Sequence, residues 1–290
     1  MKTLVYTTAF GMEHFFLLAE QMLVSLRTRG YQGDVVVLTD REYAFPSLLN
    51  AKNLILPGNP QPRLVKAALP SLLDTSGYDK ILFVDSDVVF LRHPEPLFKL
   101  ADSRMAIAKY QKYPLDRHSF NLKLFTSLER KNPRLRDAES INTGAMVFPG
   151  ALFNNYMAVW GGKWRNTVPQ KPLNKFSGDY LEQDQPVMQT LLTHGFLEYE
   201  YIPDTLQLMP MFHTEKEPLH PDAVLIHLCG ALRNAQKKQQ VLEIMAEFNR
   251  VDGYDDFKKI CDRLQSQRNG INSLRRPGGR GAFAGHVLPR

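Results

Sequence analysis

The apolar positions of this chain fall into two rhythms. One is a series of short, unbroken runs: Leu4 to Tyr6, Asp34 to Asp40 (with VVVLT inside), Leu54 to Leu56, Ile81 to Val84, Met105 to Ala108, Ile141 to Phe148, Leu197 to Ile202 and Ala223 to Leu228. Runs of this length and β-branched content read as strands buried on both faces of a sheet. The other rhythm has helical spacing. It covers Glu13 to Arg29, Arg63 to Leu73 with Pro70 as a kink, a short helix from Pro96, Gly150 to Trp160, Gln185 to Thr193 and Leu232 to Asn249. Gly30 and Gly33 punctuate the first helix, Asp74 to Gly77 forms a turn, and Gly195 caps the helix before it. Two stretches break the alternation. Tyr110 to Arg136 is a polar, aromatic and basic excursion with a helix near Leu122 to Arg130, and Gly161 to Gly178 is loop-rich. Strand alternating with helix predicts an α/β fold around a mostly parallel sheet.

Everything is organised around Ile81 to Phe90, ILFVDSDVVF. Its apolar runs flank an acidic break, Asp85-Ser86-Asp87, at the carboxyl end of a strand, where ligands sit in open α/β sheets. Two carboxylates one residue apart are costly to bury without a partner. A divalent cation resolves that conflict. Oxygen donors suit Mn²⁺ or Mg²⁺, which keep coordination positions open for phosphate oxygens. The plainer alternative is a strand end followed by an Asp-Ser turn.

Composition narrows the field. The 290 residues are 43% apolar, enough for a full core, and no run reaches the length of a membrane span. The first residues, MKTLVYTTAF, lack a long apolar region and a small-residue cleavage site, so no signal peptide is expected. Cys229 and Cys261 are too few for a disulfide scaffold or thiolate zinc site and fit a reducing compartment, which points to a cytoplasmic protein. Of the net charge of +6, five units come from the arginines after Gln265, where there is no Asp or Glu. The body is therefore near neutral, which argues against a nucleic-acid-binding fold. The tail, residues 265–290, reads as disordered and basic, with weak membrane-surface association as its conceivable role.

Four patterns occur in a telling order: Asp85-Ser86-Asp87 after its strand; Asn142-Thr143-Gly144 before an apolar run; Glu182-Gln183-Asp184; and Ile226-His227-Leu228-Cys229-Gly230 followed by Arg233. Together they resemble the family 8 retaining glycosyltransferases, the group of glycogenin, galactinol synthase and lipopolysaccharide galactosyltransferases. The resemblance runs from the first strand to about Arg233 and implies a GT-A domain over residues 1–264, with a C-terminal helical segment. It implies that Asp85, Asp87 and His227 hold Mn²⁺ (or Mg²⁺) against a UDP-sugar, with Ser86 beside them. It places Thr7 and Thr8 at the uridine, and Asn142 with Gly144 and Glu182 at the donor sugar. Lys66, with Arg63 as a competitor, would also contact the donor. Gly230 and Arg233 fall at the phosphate, where the family has a lysine; arginine would grip as a fork. Gln183 and Asp184 are the implied catalytic pair. An amide is a poor nucleophile, so front-side substitution with electrostatic support is expected. Glu182 is one methylene longer than the family's aspartate, which bears on which sugar is read. Asp40, closing the second strand, reads as a cap or turn. The implied reaction moves a hexose to a hydroxyl acceptor: a glycan, a lipid-linked sugar or a polyol.

Two other classes compete. A haloacid-dehalogenase-like phosphatase also ends an apolar strand in Asp-x-Asp, with Asp85 as nucleophile and Asp255-Asp256 as a late acidic pair. Three strands precede Asp85 here, and no apolar strand leads into Asp255. A non-catalytic nucleotide-sugar-binding module is the other alternative.

Overall fold

The computed structural model describes residues 1–56, 65–115, 138–162, 184–209, 218–228 and 235–274. Its elements are β1 (Thr3–Ala9), α1 (Glu13–Thr28), β2 (Asp34–Thr39), β3 (Lys52–Ile55), β4 (Lys80–Val84), β5 (Val88–Phe90), α2 (Glu95–Phe98), β6 (Met105–Pro114), β7 (Glu139–Pro149), α3 (Gly150–Gly161), α4 (Asp184–Thr193), β8 (Tyr199–Tyr201), β9 (Gln207–Leu208), β10 (Leu225–His227), α5 (Ala235–Arg250) and α6 (Tyr254–Leu274). Seven strands form one sheet in the order β3-β2-β1-β4-β7-β6-β8, and β5, β10 and β9 form a second. In the large sheet β3, β2, β1 and β4 run parallel, as do β6 and β8. β7 runs against both β4 and β6. The sheet is thus mostly parallel, as the alternation predicts.

Burial on both faces explains why ILFV is unbroken. Ile81 and Phe83 pack under α3 and α4, against Phe153, Trp160, Val187 and Met188. Leu82 and Val84 face the other side, against α1, α5 and α6. The second acidic-flanked run, Val88 to Phe90, does not extend β4. It belongs to the small sheet, antiparallel to β10, with His227 opposite Val88. The chain changes sheets within a tight turn in which Val88 N–H donates to the Asp85 carbonyl at 3.2 Å.

Elsewhere the expected elements form with small differences. The described part of the Arg63 to Leu73 stretch is not one helix. It closes in a 3-10 turn at Leu69–Ser71, where Pro70 has no N–H to continue a ladder. β6 runs on to Pro114, into the stretch read as an excursion. The helix expected near Leu122 to Arg130 and most of Gly161 to Gly178 lie outside the described residues. Gly195 adopts φ +73° and ends α4, with Gly195 N–H on the Leu192 carbonyl and Phe196 N–H on the Leu191 carbonyl, a Schellman cap. α6 continues to Leu274, ten residues past position 264. Phe257, Ile260, Cys261 and Leu264 put its apolar stripe in the core. Arg29 fastens this end of the chain to α1, pairing with Asp252 at 2.8 Å and donating to the Val251 carbonyl at 2.9 Å.

Candidate functional site

Four elements deliver polar side chains to the carboxyl edge of β4. Asp85 leaves β4 with its N–H on the Gly144 carbonyl of β7 at 2.9 Å. The β-turn that follows carries Asp87 toward β10, and Leu228 N–H donates to the Asp87 carbonyl at 3.0 Å. His227, on β10, points its Nε2 at Asp87 Oδ1, 3.0 Å away, with Asp85 Oδ2 at 3.7 Å. One donor atom from each of Asp85, Asp87 and His227 lies within 4.8 Å of the others. The Asp-Ser turn and the metal-type constellation are therefore the same object. Asp87 and His227 are sealed in, whereas the Asp85 side chain keeps 28% exposure and opens the cluster to solvent.

Gly144 is required by this arrangement. A Cβ at that position would overlap the His227 ring, and the Asn142 side chain closes the remaining space. Asn142 is buried in β7, accepting from Gly144 N–H at 2.8 Å and donating to Gln185 Oε1 at 3.3 Å. The β6–β7 register shifts here, with Ile107 opposite Met146 and Ala108 opposite Asn142, so Thr143 to Ala145 are extra residues of β7.

Lys66 stands on the other side of Asp85. Its Nζ lies 2.7 Å from Asp85 Oδ1, also pairs with Asp184 Oδ2, and sits 4.8 Å from the centre of the Phe83 ring. Asp184 opens α4 and accepts from the Thr143 hydroxyl at 2.8 Å. Burial pushes the Asp85 carboxyl above its ordinary range, more than Lys66 and His227 pull it down. For Asp87 burial also pushes upward, but the charge and hydrogen bond of His227 hold it below its usual value. Burial opposes the Asp184 charge too, and Lys66 overcomes it, leaving that carboxyl low. The Lys66 ammonium, disfavoured by burial, is held protonated well above its ordinary range by Asp184 and Asp85. Three carboxylates face one ammonium and one imidazole, so the cluster has one negative charge to spare with His227 protonated and two with it neutral. A hard divalent cation matches both that surplus and the oxygen-plus-imidazole donor set.

The structure therefore brings together Asp85, Asp87, His227, Lys66 and Asp184, with Asn142 and Gly144 directly beside them. Ser86 is buried at the tip of the turn. Thr7 and Thr8 lie at the end of β1, past the Tyr6–Phe83 pair, level with where Asp85 leaves β4. The Thr7 hydroxyl is buried with no partner among the described residues. Asp40 accepts from Gly11 N–H at 2.8 Å and acts as the turn cap expected of it. Arg63, Glu182, Gln183, Gly230 and Arg233 lie outside the described residues. Asp255 and Asp256 open α6, where Asp256 pairs with Lys259 on the surface. The third carboxylate of the cluster is Asp184, not that late acidic pair. Sequence reasoning missed Gln185, the Asn142 partner, although it adjoins the Glu-Gln-Asp pattern. It also missed Phe83 as the surface under Lys66, because that contact depends on strand phase.

Known structures place this architecture. The galactosyltransferase LgtC, solved in complex with donor and acceptor sugar analogs, matches 84% of this chain and 95% of its own at 14% identity and a TM-score of 0.50. The glycosyltransferase GlyE of Streptococcus pneumoniae TIGR4 matches 92% of this chain, again at 14% identity, with a TM-score of 0.55. The chain has the GT-A fold. The bifunctional glycosyltransferase WbbM shares it over 93% of this GT-A chain at 14% identity and a TM-score of 0.56. The chain spans 64% of GlyE and 51% of WbbM. These neighbours are family 8-like glycosyltransferases, the group that the four motifs resemble. No family model matches the sequence, and no curated protein does. At such identities the likeness establishes the GT-A fold; the activity is argued from the cluster.

Proposed function

We propose that this chain is a retaining glycosyltransferase that moves a hexose from a UDP-sugar to a hydroxyl acceptor with a divalent cation, Mn²⁺ or Mg²⁺. The observation that carries this reading is the convergence of Asp85, Asp87 and His227, from two sheets and 142 positions of sequence, on one partly open cluster. Those three side chains would hold the cation, which when bound supplies charge neutralisation to a departing diphosphate. Thr7, Thr8 and Ser86 would orient the nucleotide end. Lys66, Gly230 and Arg233 would approach the phosphates, and Asn142, Gly144 and Glu182 the sugar. Gln183 would turn its amide oxygen toward the positive charge that develops at the anomeric carbon. Asp184, kept ionised by Lys66, would hold the sugar or acceptor hydroxyl in line. The incoming hydroxyl would lose its proton to the leaving phosphate oxygen on the same face, which gives retention.

The remaining assignments belong to the same proposal. The catalytic domain would span residues 1–264, with the basic tail as an accessory membrane-surface contact. Among the described residues no helix is long and apolar enough to cross a membrane. A cytoplasmic site of action is proposed from the cysteine content alone. The test is a screen of nucleotide sugars for Mn²⁺-dependent hydrolysis. Release of UDP from at least one donor, lost on chelation, is the expected result. No turnover of any nucleotide sugar together with cleavage of a simple aryl phosphate would reverse the reading in favour of the phosphatase.

A further inference from the structure

We infer that Lys66 is a positioning residue that couples cation occupancy at Asp85 to the placement of Asp184. The inference rests on the cation reading proposed above and concerns what the chain's own lysine does about it. Three observations carry it. Asp85 is divided between two sides: Oδ2 faces His227, whereas Oδ1 lies 2.7 Å from the Lys66 ammonium. The same ammonium is shared with Asp184, whose Oδ2 also accepts from the Thr143 hydroxyl. And among the described residues the ammonium has only these two carboxylates as ion-pair partners, so its share between them can change. Its third neighbour is the face of Phe83, 4.8 Å away, and among the described residues no backbone carbonyl accepts from it. A cation over an aromatic face can slide without breaking a directional bond.

The consequence follows from charge. A divalent cation on Oδ2 draws on the Asp85 charge and repels the ammonium, and both effects weaken the Oδ1 ion pair. Asp184 feels the cation less directly, so the ammonium shifts toward it. Asp184 is the first residue of α4, and the next residue, Gln185, is tied to Asn142. Occupancy at the His227 side is thereby transmitted to the start of α4 through the Lys66 side chain, alongside the Gly144–Asn142–Gln185 contacts of β7. By linkage, anything that fixes Lys66 on Asp184 must in turn favour the cation.

The test is NMR on the whole chain carrying ¹³C-labelled lysine ε-carbons and uniform ¹⁵N, which also reports the histidine rings, titrated with Mg²⁺ alone. The Lys66 ε-methylene, which feels the ring current of Phe83, and the Asp184 and Gln185 amides are expected to shift along one binding curve. That curve should be abolished in Asp87→Asn. In Lys66→Met the amide shifts are expected to fall at least about fivefold at saturating Mg²⁺, with the His227 ring signals still responding. If Mg²⁺ moves the His227 signals while the Lys66 ε-methylene stays in place, the coupling is overturned and the cation site stands. That wild-type measurement decides the matter even if Lys66→Met does not fold. If Mg²⁺ moves neither set, the cation reading itself fails and the inference with it.

Discussion

Two lysines with largely covered side chains stand at opposite ends of the large sheet, and they are held in different ways. Lys80 opens β4. Its ammonium donates to the carbonyls of Leu100 and Ala101 at 2.8 and 2.7 Å and to Asp102 at 2.7 Å, so three protons meet three fixed acceptors. One charge is matched by one carboxylate, and that carboxylate is exposed. Lys66 lies beside the other end of β4, shared between two carboxylates that themselves adjoin a third. The first arrangement is complete: it pins the α2–β6 connection under the sheet and has nothing left to bind. The second carries surplus negative charge in a partly desolvated place, which costs stability until a ligand cancels it. Burial of a lysine thus says little about function; the balance of charge around it says much.

That contrast can be broken in a few places. Asp87→Ala removes one of the proposed cation ligands, and several kcal/mol of charge stabilisation at the leaving group corresponds to an expected loss of about a thousandfold in turnover. Donor hydrolysis measures it, and far-ultraviolet circular dichroism should show an intact fold. Gly144→Ala forces the His227 ring to move. Denaturant melts should show a loss of about 1–3 kcal/mol, with a parallel fall in Mn²⁺ affinity.

Lys80→Met sharpens the comparison directly. It leaves two backbone carbonyls without their donor and should cost about 1–3 kcal/mol, a loss that divalent cations do not alter. Lys66→Met should also destabilise, but there the loss should shrink when Mn²⁺ is added. Thermal melts of both variants with and without Mn²⁺ decide this.

The smallest expected effect is one of pH at the Lys80 end. Burial pushes the Tyr31 phenol up to about 12. Its folded value is thus above the unfolded value of about 10, so its contribution is present below pH ~10 and is lost as pH rises toward ~12. Tyr31→Phe should flatten that alkaline limb, read from stability curves between those limits. At the other end the signs oppose: Asp87 and Asp184 are held low and lose their contribution on acidification, while Asp85 is held high.

Much of the fold was legible because burial writes plainly in sequence. ILFV reads as a strand because both of its faces are covered, and the spacing from Glu13 to Arg29 reads as α1 because one stripe of it is. The direction of β7 was not legible, since INTGAMVF has the same pattern read either way. Nor was the assignment of Val88 to Phe90 to a second sheet, which depends on a turn hidden in Asp-Ser-Asp. Within the site, Asp85, Asp87 and His227 were found as motif members. The tie from Lys66 to Asp184 was not found, because a side-chain contact across 118 positions leaves no local trace. The helical stripe Phe257, Ile260, Cys261, Leu264 was present in the sequence; the Gly, Asn and Ser that follow it obscured how far α6 runs.

The reversed course of β7 bears on how such a chain can diversify. Because β6 and β7 are antiparallel neighbours, with Pro114 paired to Glu139, the segment between them leaves and re-enters at one spot. That spot lies beyond the end of β4, on the Asp85 side. Lineages could therefore lengthen, shorten or rewrite that segment while every strand of the large sheet keeps its neighbour and every cluster residue its seat.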